Sequence, residues 1–352
     1  MNNHSRSLTK TTLTAAGRRV LLQAAVVGAA LSLLFPVSAR SQQLSEYTVD
    51  AGGHLVHVMP TVDKSAGRIG NPPSAGPLNY HGGPVMQTAN TYAIFWLPPT
   101  LQTGAPTSLP AHYQSVATAL LSLYPGHGID NNNTQYSAKG NFFSWYYIQN
   151  AGGFAGSYID NSAYPASGCS DSFTPGNCLS DAQIQAEISK VMALKGWTGG
   201  LNKMFFLFTS SGEGSCAGFG CAYTNYCAYH GYFGSTSNPV IYGNEPYADP
   251  SVCQVGGTPS PNGDAAGDAA ATIASHELTE AITDPELNAW YASDGEEIGD
   301  LCAWNYGPNT WDSGNANQSW FTSWSIFFRQ IGYFELQQEY DNHAGGCVQV
   351  GP

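Results

Sequence analysis

Charge is what this sequence has least of. Only 11% of its 352 residues are Asp, Glu, Lys or Arg, and 12 Lys and Arg stand against 25 acidic residues. Nothing supplies the basic stripe that phosphate binding requires, which excludes nucleic acid as a partner and disfavours anionic membrane surfaces. Beyond Phe35 no stretch is long and apolar enough to be predicted as a membrane span. There is no pair of CxxC units to build a cysteine zinc knuckle, and no G-x-S-x-G turn to present a serine nucleophile. The full H-E-x-x-H zinc motif is missing as well. What remains is low charge with 40 Gly and 20 Tyr, the composition of a loop-rich globule and not of a disordered acidic tail.

The first 39 residues join a basic start (Arg6, Lys10, Arg18, Arg19) to an apolar run from Val20 to Phe35, then V-S-A at 37–39. This pattern predicts a cleaved signal peptide ending at Ala39. Gly17-Arg18-Arg19-Val20-Leu21-Leu22 also looks loosely like a twin-arginine signal. Cleavage leaves eight basic residues against 25 acidic ones, a formal charge of −17. The mature chain is expected to be secreted, extracellular or periplasmic, with no membrane association. Eight cysteines, at 169, 178, 216, 221, 227, 253, 302 and 347, all follow the signal. An even number in an oxidising compartment predicts disulfides, with Cys169 and Cys178 able to close a short loop and the other pairings open.

Residues 40–78 are polar and rich in Gly and Pro, and read as a linker or loosely packed arm. Residues 79–352 have the length of one globular domain. Thr91 to Leu97 and Lys203 to Thr209 read as buried strands, and Pro239 to Tyr242 as a shorter one. Phe142 to Ile148 and Gly156 to Ile159 are further strand candidates. His112 to Tyr124 and Asp181 to Leu194 read as amphipathic helices, the second capped by Ser180 or Asp181. Strands alternating with helices predict an α/β (α+β) fold, a mixed twisted sheet with flanking helices and disulfides, zincin-like in laying a helix beneath the sheet.

That helix carries the most informative stretch, S-H-E-L-T-E-A-I-T-D-P at 275–285. Asn262-Gly263-Asp264 offers its cap, Ala265 to Ala274 are good helix formers, and Pro285 ends it. At 3.6 residues per turn His276 and Glu280 share a face, with Glu277 beside them. This is the zinc helix with a carboxylate in the second ligand position, and carboxylate oxygen binds zinc as imidazole nitrogen does. A third ligand is expected from D-G-E-E-I-G-D-L-C at 294–302, Glu297 first with Glu296 and Asp300 as rivals; Asp284 and Glu286, just after the helix, fall near the place where another zinc-protease class puts its third ligand. Zn²⁺ is the expected ion, and the carboxylate-rich set also admits Mn²⁺ or Ca²⁺. The bland reading is a buried histidine on a helix with an acidic surface loop after it.

Four blocks resemble a known family. Asn79-Tyr80-His81-Gly82-Gly83-Pro84-Val85, Phe205 to Ser211, Cys227-Ala228-Tyr229-His230-Gly231 and Pro239-Val240-Ile241-Tyr242-Gly243 are similar, in that order, to the EXORDIUM or phosphate-induced proteins. The likeness runs on through the helix to Glu297 and Cys302. It implies a secreted, cell-wall-associated protein without a settled biochemical activity. Members generally lack the His-Glu pair, so this chain resembles a microbial relative that has it. His81 and His230 fall inside these blocks. Each could serve as metal ligand or transition-state donor, or as a core histidine tying a glycine-rich turn.

Two functions follow from these residues. One is a secreted metal-dependent hydrolase, zinc metallopeptidase-like, acting on peptide bonds. His276, Glu280 and Glu297 would hold the ion, and Glu277 would act as general base on water attacking a carbonyl. The other is a non-catalytic extracellular cell-wall or polysaccharide-binding protein, with Trp304, Trp311, Trp320, Trp324 and Tyr333 as aromatic candidates for stacking on sugar rings or for forming core.

Overall fold

The computed structural model describes residues 47–49, 55–65, 76–140, 144–218, 220–308, 316–321 and 331–352, all within the compact unit Leu44–Pro352. The predicted signal segment and Trp311 and Trp324 lie outside the described residues. Seven strands form the main sheet: β1 (Tyr47–Val49), β2 (Leu55–Pro60), β3 (Ala89–Trp96), β4 (Gly152–Asp160), β5 (Lys203–Thr209), β6 (Tyr226–Ser235) and β7 (Asn238–Glu245). Their order is β1-β2-β6-β7-β5-β3-β4. The half containing β7, β5, β3 and β4 is parallel, and the half from β1 through β2 and β6 to β7 is antiparallel.

The parallel half is where the sequence is apolar on both strand faces. M-F-F-L-F in β5 and A-I-F-W in β3 are buried throughout, the pattern of strands covered on two sides. Tyr92 faces Phe205 and Phe95 faces Phe208 across the β3/β5 register, with both ring pairs stacked. Three long helices cover the sheet: α1 (Ala111–Leu123), α2 (Asp181–Lys195) and α3 (Ala265–Thr283). Alternation along β6 sends side chains to opposite faces. The hydroxyls of Tyr229 and Tyr242 meet Asp181 of α2, and His230 meets Glu277 of α3. The sequence-based expectation of a mixed sheet with flanking helices and disulfides therefore holds.

Local chemistry explains where the helices begin and end. Gln183 Oε1 accepts from Ser180 N at 2.9 Å at the start of α2, and Gly196 closes that helix in the left-handed region at φ 68°. Asp264 caps α3, accepting from Gly267 N at 3.0 Å, and Asp284-Pro285 ends it. Every residue of α3 from Ala266 to Thr283 is buried. A helix enclosed on all sides needs small residues to fit, which its alanines provide.

The disulfides are Cys169–Cys178, Cys216–Cys221, Cys227–Cys253 and Cys302–Cys347, and no cysteine is free. Among the described residues no helix is long and apolar enough to cross a membrane. Two segments depart from the sequence reading. Residues 55–60, within the stretch read as a linker or arm, form β2 and pair with β6 inside the sheet. Tyr226–Ser235 forms β6, a strand not among those read from the sequence, because its Tyr, Ala and Gly pattern gives only a weak strand signal.

Candidate metal centre

Three parts of the fold meet in one buried cluster. The β2/β6 register sets His57 directly opposite His230, with ring centroids 5.7 Å apart, both facing α3. On α3, His276, Glu277 and Glu280 present one face to them, as helical spacing requires. The third part is the turn from Glu297 into the short 3₁₀ helix Asp300–Cys302. Asp300 Oδ2 accepts from Glu297 N at 3.1 Å and Asp300 N donates to Glu280 Oε1 at 3.1 Å. Cys302–Cys347 ties this turn to the C-terminal hairpin.

The distances sort these residues into two groups that share Glu280. One ligand atom each from His57, His230, Glu280 and Glu297 lies within 4.8 Å of the others, and the same holds for His276, Glu280 and Asp300. In the first group His57 Nδ1 is 3.3 Å from Glu280 Oε2 and 3.9 Å from Glu297 Oε1. His230 Nδ1 is 3.1 Å from Glu277 Oε2 and 3.5 Å from Glu280 Oε2, and its Nε2 is 3.9 Å from Glu297 Oε2. In the second group His276 Nε2 is 3.0 Å from Glu280 Oε1 and 3.5 Å from Asp300 Oδ1. His57 Nε2 reaches Asp300 Oδ2 at 3.1 Å.

All seven side chains are at 0% exposure, so four carboxylates and three imidazoles sit where charge is costly. Buried Glu245 and Glu339 lie close enough to feel them. Burial alone would lower the His230 pKa, but Glu277 and Glu280 overcome it and raise the value to about 9. Burial likewise opposes the Glu280 carboxylate, yet His276 and His57 hold its pKa well below the ordinary value. Burial raises the Glu277 carboxyl against the pull of His230. Four buried carboxylates beside three imidazoles are a donor set that could hold a cation.

The sequence-predicted residues fare differently. Glu280 and Glu297 come together in the four-residue group, and His276 belongs to the adjoining one. Glu277 contacts His230. Of the rivals, Asp300 is in the cluster, and Asp284 instead accepts from Asn288 N and Ala289 N at 2.6 and 2.7 Å in the turn after α3. Glu296 and Glu286 are buried but belong to neither group. His81 is exposed and stacks on Tyr291 at 3.5 Å, away from the cluster. His230 proves central. His57 was missed by sequence reasoning, because its segment carries no motif and its partner Glu280 lies 223 residues away. The aromatic candidates Trp304 and Trp320 are core residues, 1% and 4% exposed.

No family model matches the chain, and no solved structure matches it. Over 69 residues it is 39% identical to Protein EXORDIUM-like 5 of Arabidopsis thaliana, a stretch that covers 18% of this chain and 19% of that protein. The four disulfides fit an oxidising, extracytoplasmic setting. In this part of its length the chain is similar to an EXORDIUM-like protein, in keeping with the resemblance read from its sequence blocks.

Proposed function

We propose that the protein is an extracellular, non-catalytic binding protein whose fold is locked by one buried metal ion held by His57, His230, Glu280 and Glu297. The closed ligand set carries this reading. Four donors arrive from β2, β6, α3 and the turn after it, and all four are fully buried. A catalytic ion keeps three protein ligands and a position open to substrate, whereas four protein ligands are the mark of a structural site. Two imidazoles and two carboxylates suit Zn²⁺, with Mn²⁺ second; the nitrogen donors disfavour Ca²⁺.

The ion would supply the positive charge that offsets burying Glu280 and Glu297, and would cross-link an N-terminal strand to the central helix. A peptidase role asks Glu277 to take a proton from water attacking a substrate, yet that carboxylate is engaged with His230 and fully buried. The partner class in this reading is an extracellular polysaccharide. Trp145 and Tyr147, two residues apart on one strand face, are 47% and 58% exposed and able to stack on sugar rings.

Elemental analysis of the purified mature protein should find one zinc per chain. Chelation should lower the thermal midpoint, and no peptide substrate should be cleaved. Absence of metal after zinc reconstitution overturns the reading, as does peptide hydrolysis that a chelator abolishes.

A further inference from the structure

Away from the metal centre, four of the eight cysteines meet at one place. The strand Cys178–Ser180 runs parallel to Gly214–Ala217, with Gly214 opposite Cys178 and Cys216 opposite Ser180. Gly214–Ala217 in turn pairs antiparallel with Gly220–Cys221, which sets Cys216 opposite Cys221. Residues two apart on a strand share a face, so Cys178 and Cys216 point the same way. Their sulfurs lie 3.4 Å apart, although each is bonded to a different partner. The Cys169 sulfur completes a group of three within 4.8 Å. Both Cys216 and Cys221 place their sulfur 3.9 Å from the carbonyl oxygen of Ser170, the residue after Cys169. In the other two disulfides, Cys227 and Cys347 lie against the backbone carbonyls of Val252 and Leu301, both at 3.7 Å.

We propose that these two touching disulfides form a thiol-exchange site, at which an external low-molecular-weight thiol converts Cys169–Cys178 and Cys216–Cys221 into a Cys178–Cys216 cross-link. Cys178 is fully buried, whereas Cys169, Cys216 and Cys221 are half-buried. Entry is therefore from the outer sulfurs. A thiolate attacking Cys169 forms a mixed disulfide there, breaks the Cys169–Cys178 bond and leaves the electron pair on Cys178. The Cys178 thiolate then attacks Cys216 Sγ at 3.4 Å, the Cys216–Cys221 bond breaks, and Cys221 departs as thiolate. Entry at Cys221 runs the relay the other way and frees Cys169. One thiolate enters and one leaves, with two disulfide bonds present before and after, so the exchange consumes no oxidant or reductant.

The exchange alters which segments are tied together. The starting bonds join cysteines 9 and 5 residues apart, and the new bond joins positions separated by 38. It opens the 169–178 loop and fastens Cys178–Ser180, which leads directly into α2, to the neighbouring strand.

The mature protein is incubated with glutathione at mildly alkaline pH, where thiolate is abundant, then quenched, alkylated, digested without reduction and mapped by mass spectrometry. A Cys178–Cys216 peptide pair should appear, with glutathione on Cys169 and an alkylated Cys221, or the reverse, while Cys227–Cys253 and Cys302–Cys347 persist. The double variant Cys169→Ser, Cys221→Ser leaves Cys178 and Cys216 alone at the site, and they should be recovered joined. In Cys216→Ser, Cys221→Ser, glutathione on Cys169 should leave Cys178 as a free thiol. A wild-type map that keeps the original pairs, or that carries glutathione with no Cys178–Cys216 peptide, overturns the proposal. So does a folded first variant with both thiols free. Should a variant fail to fold, the wild-type map decides.

Discussion

Substituting Gly299 with alanine tests how tightly the centre is built. Gly299 has φ −76° and ψ −40°, a backbone conformation that alanine adopts freely. On backbone grounds alone Gly299→Ala should stabilise the protein by about 0.4–1 kcal/mol, through the entropy of the unfolded chain. The new methyl, however, would lie 2.6 Å from His276 Nδ1, 2.8 Å from His276 Cε1 and 2.9 Å from Glu280 Oε1. Ordinary contact begins about half an ångström or more beyond these distances. Neither neighbour has room to retreat. His276 is held by Gln337, Glu280 accepts from Asp300 N, and both stand on a helix buried on every side. Overpacking of this kind costs about 1–3 kcal/mol, so the net effect should be a loss of about 1–2 kcal/mol. Urea unfolding of the metal-free protein measures it, and zinc uptake by the same variant should fall as Glu280 shifts. A variant as stable as wild type or more so, with unchanged zinc uptake, would refute the close packing of Gly299 on the site.

Two further outcomes concern the core. Burial raises the Asp130 pKa from 3.8 to about 7, despite hydrogen bonds from Asn133 and the Gly126 N–H that work against the rise. The folded protein keeps this proton while the unfolded chain has lost it, so stability is fullest below about pH 4 and falls as pH rises towards 7. The loss is about 4 kcal/mol at most. Asp130→Asn cannot ionise, and its stability relative to wild type should climb by that order between pH 4 and pH 8; equal denaturant midpoints at both pH values would refute the assignment. Trp320 is 4% exposed, packs on Phe334 and Tyr124, and donates Nε1–H to Gln318 at 3.0 Å. Trp320→Ala should therefore cost about 3–5 kcal/mol while leaving retention on cell-wall polysaccharides unchanged. Intact stability with lost retention would reverse that role.

Part of the centre was legible in the chain. His276, Glu277 and Glu280 could be placed on one face because helical periodicity, an Asp cap and a terminating Pro all act within a few residues of the motif. Glu297 and Asp300 could be nominated because a zinc helix needs a third ligand and an acidic segment follows it in the sequence. His230 stood out only as part of a block, and the blocks gave no means of telling a ligand from a core histidine.

Sequence by itself determined the signals that are local: the low charge, the even set of cysteines, the two central apolar strands, the caps and the face of α3. Only the tertiary structure brought His57 and His230 together, because antiparallel pairing of β2 with β6 joins segments more than 150 residues apart in the sequence. The neighbours of each imidazole are decided in the same way: Asp300 lies beside His57, Glu277 beside His230 and Gln337 beside His276, each from an element other than the histidine's own.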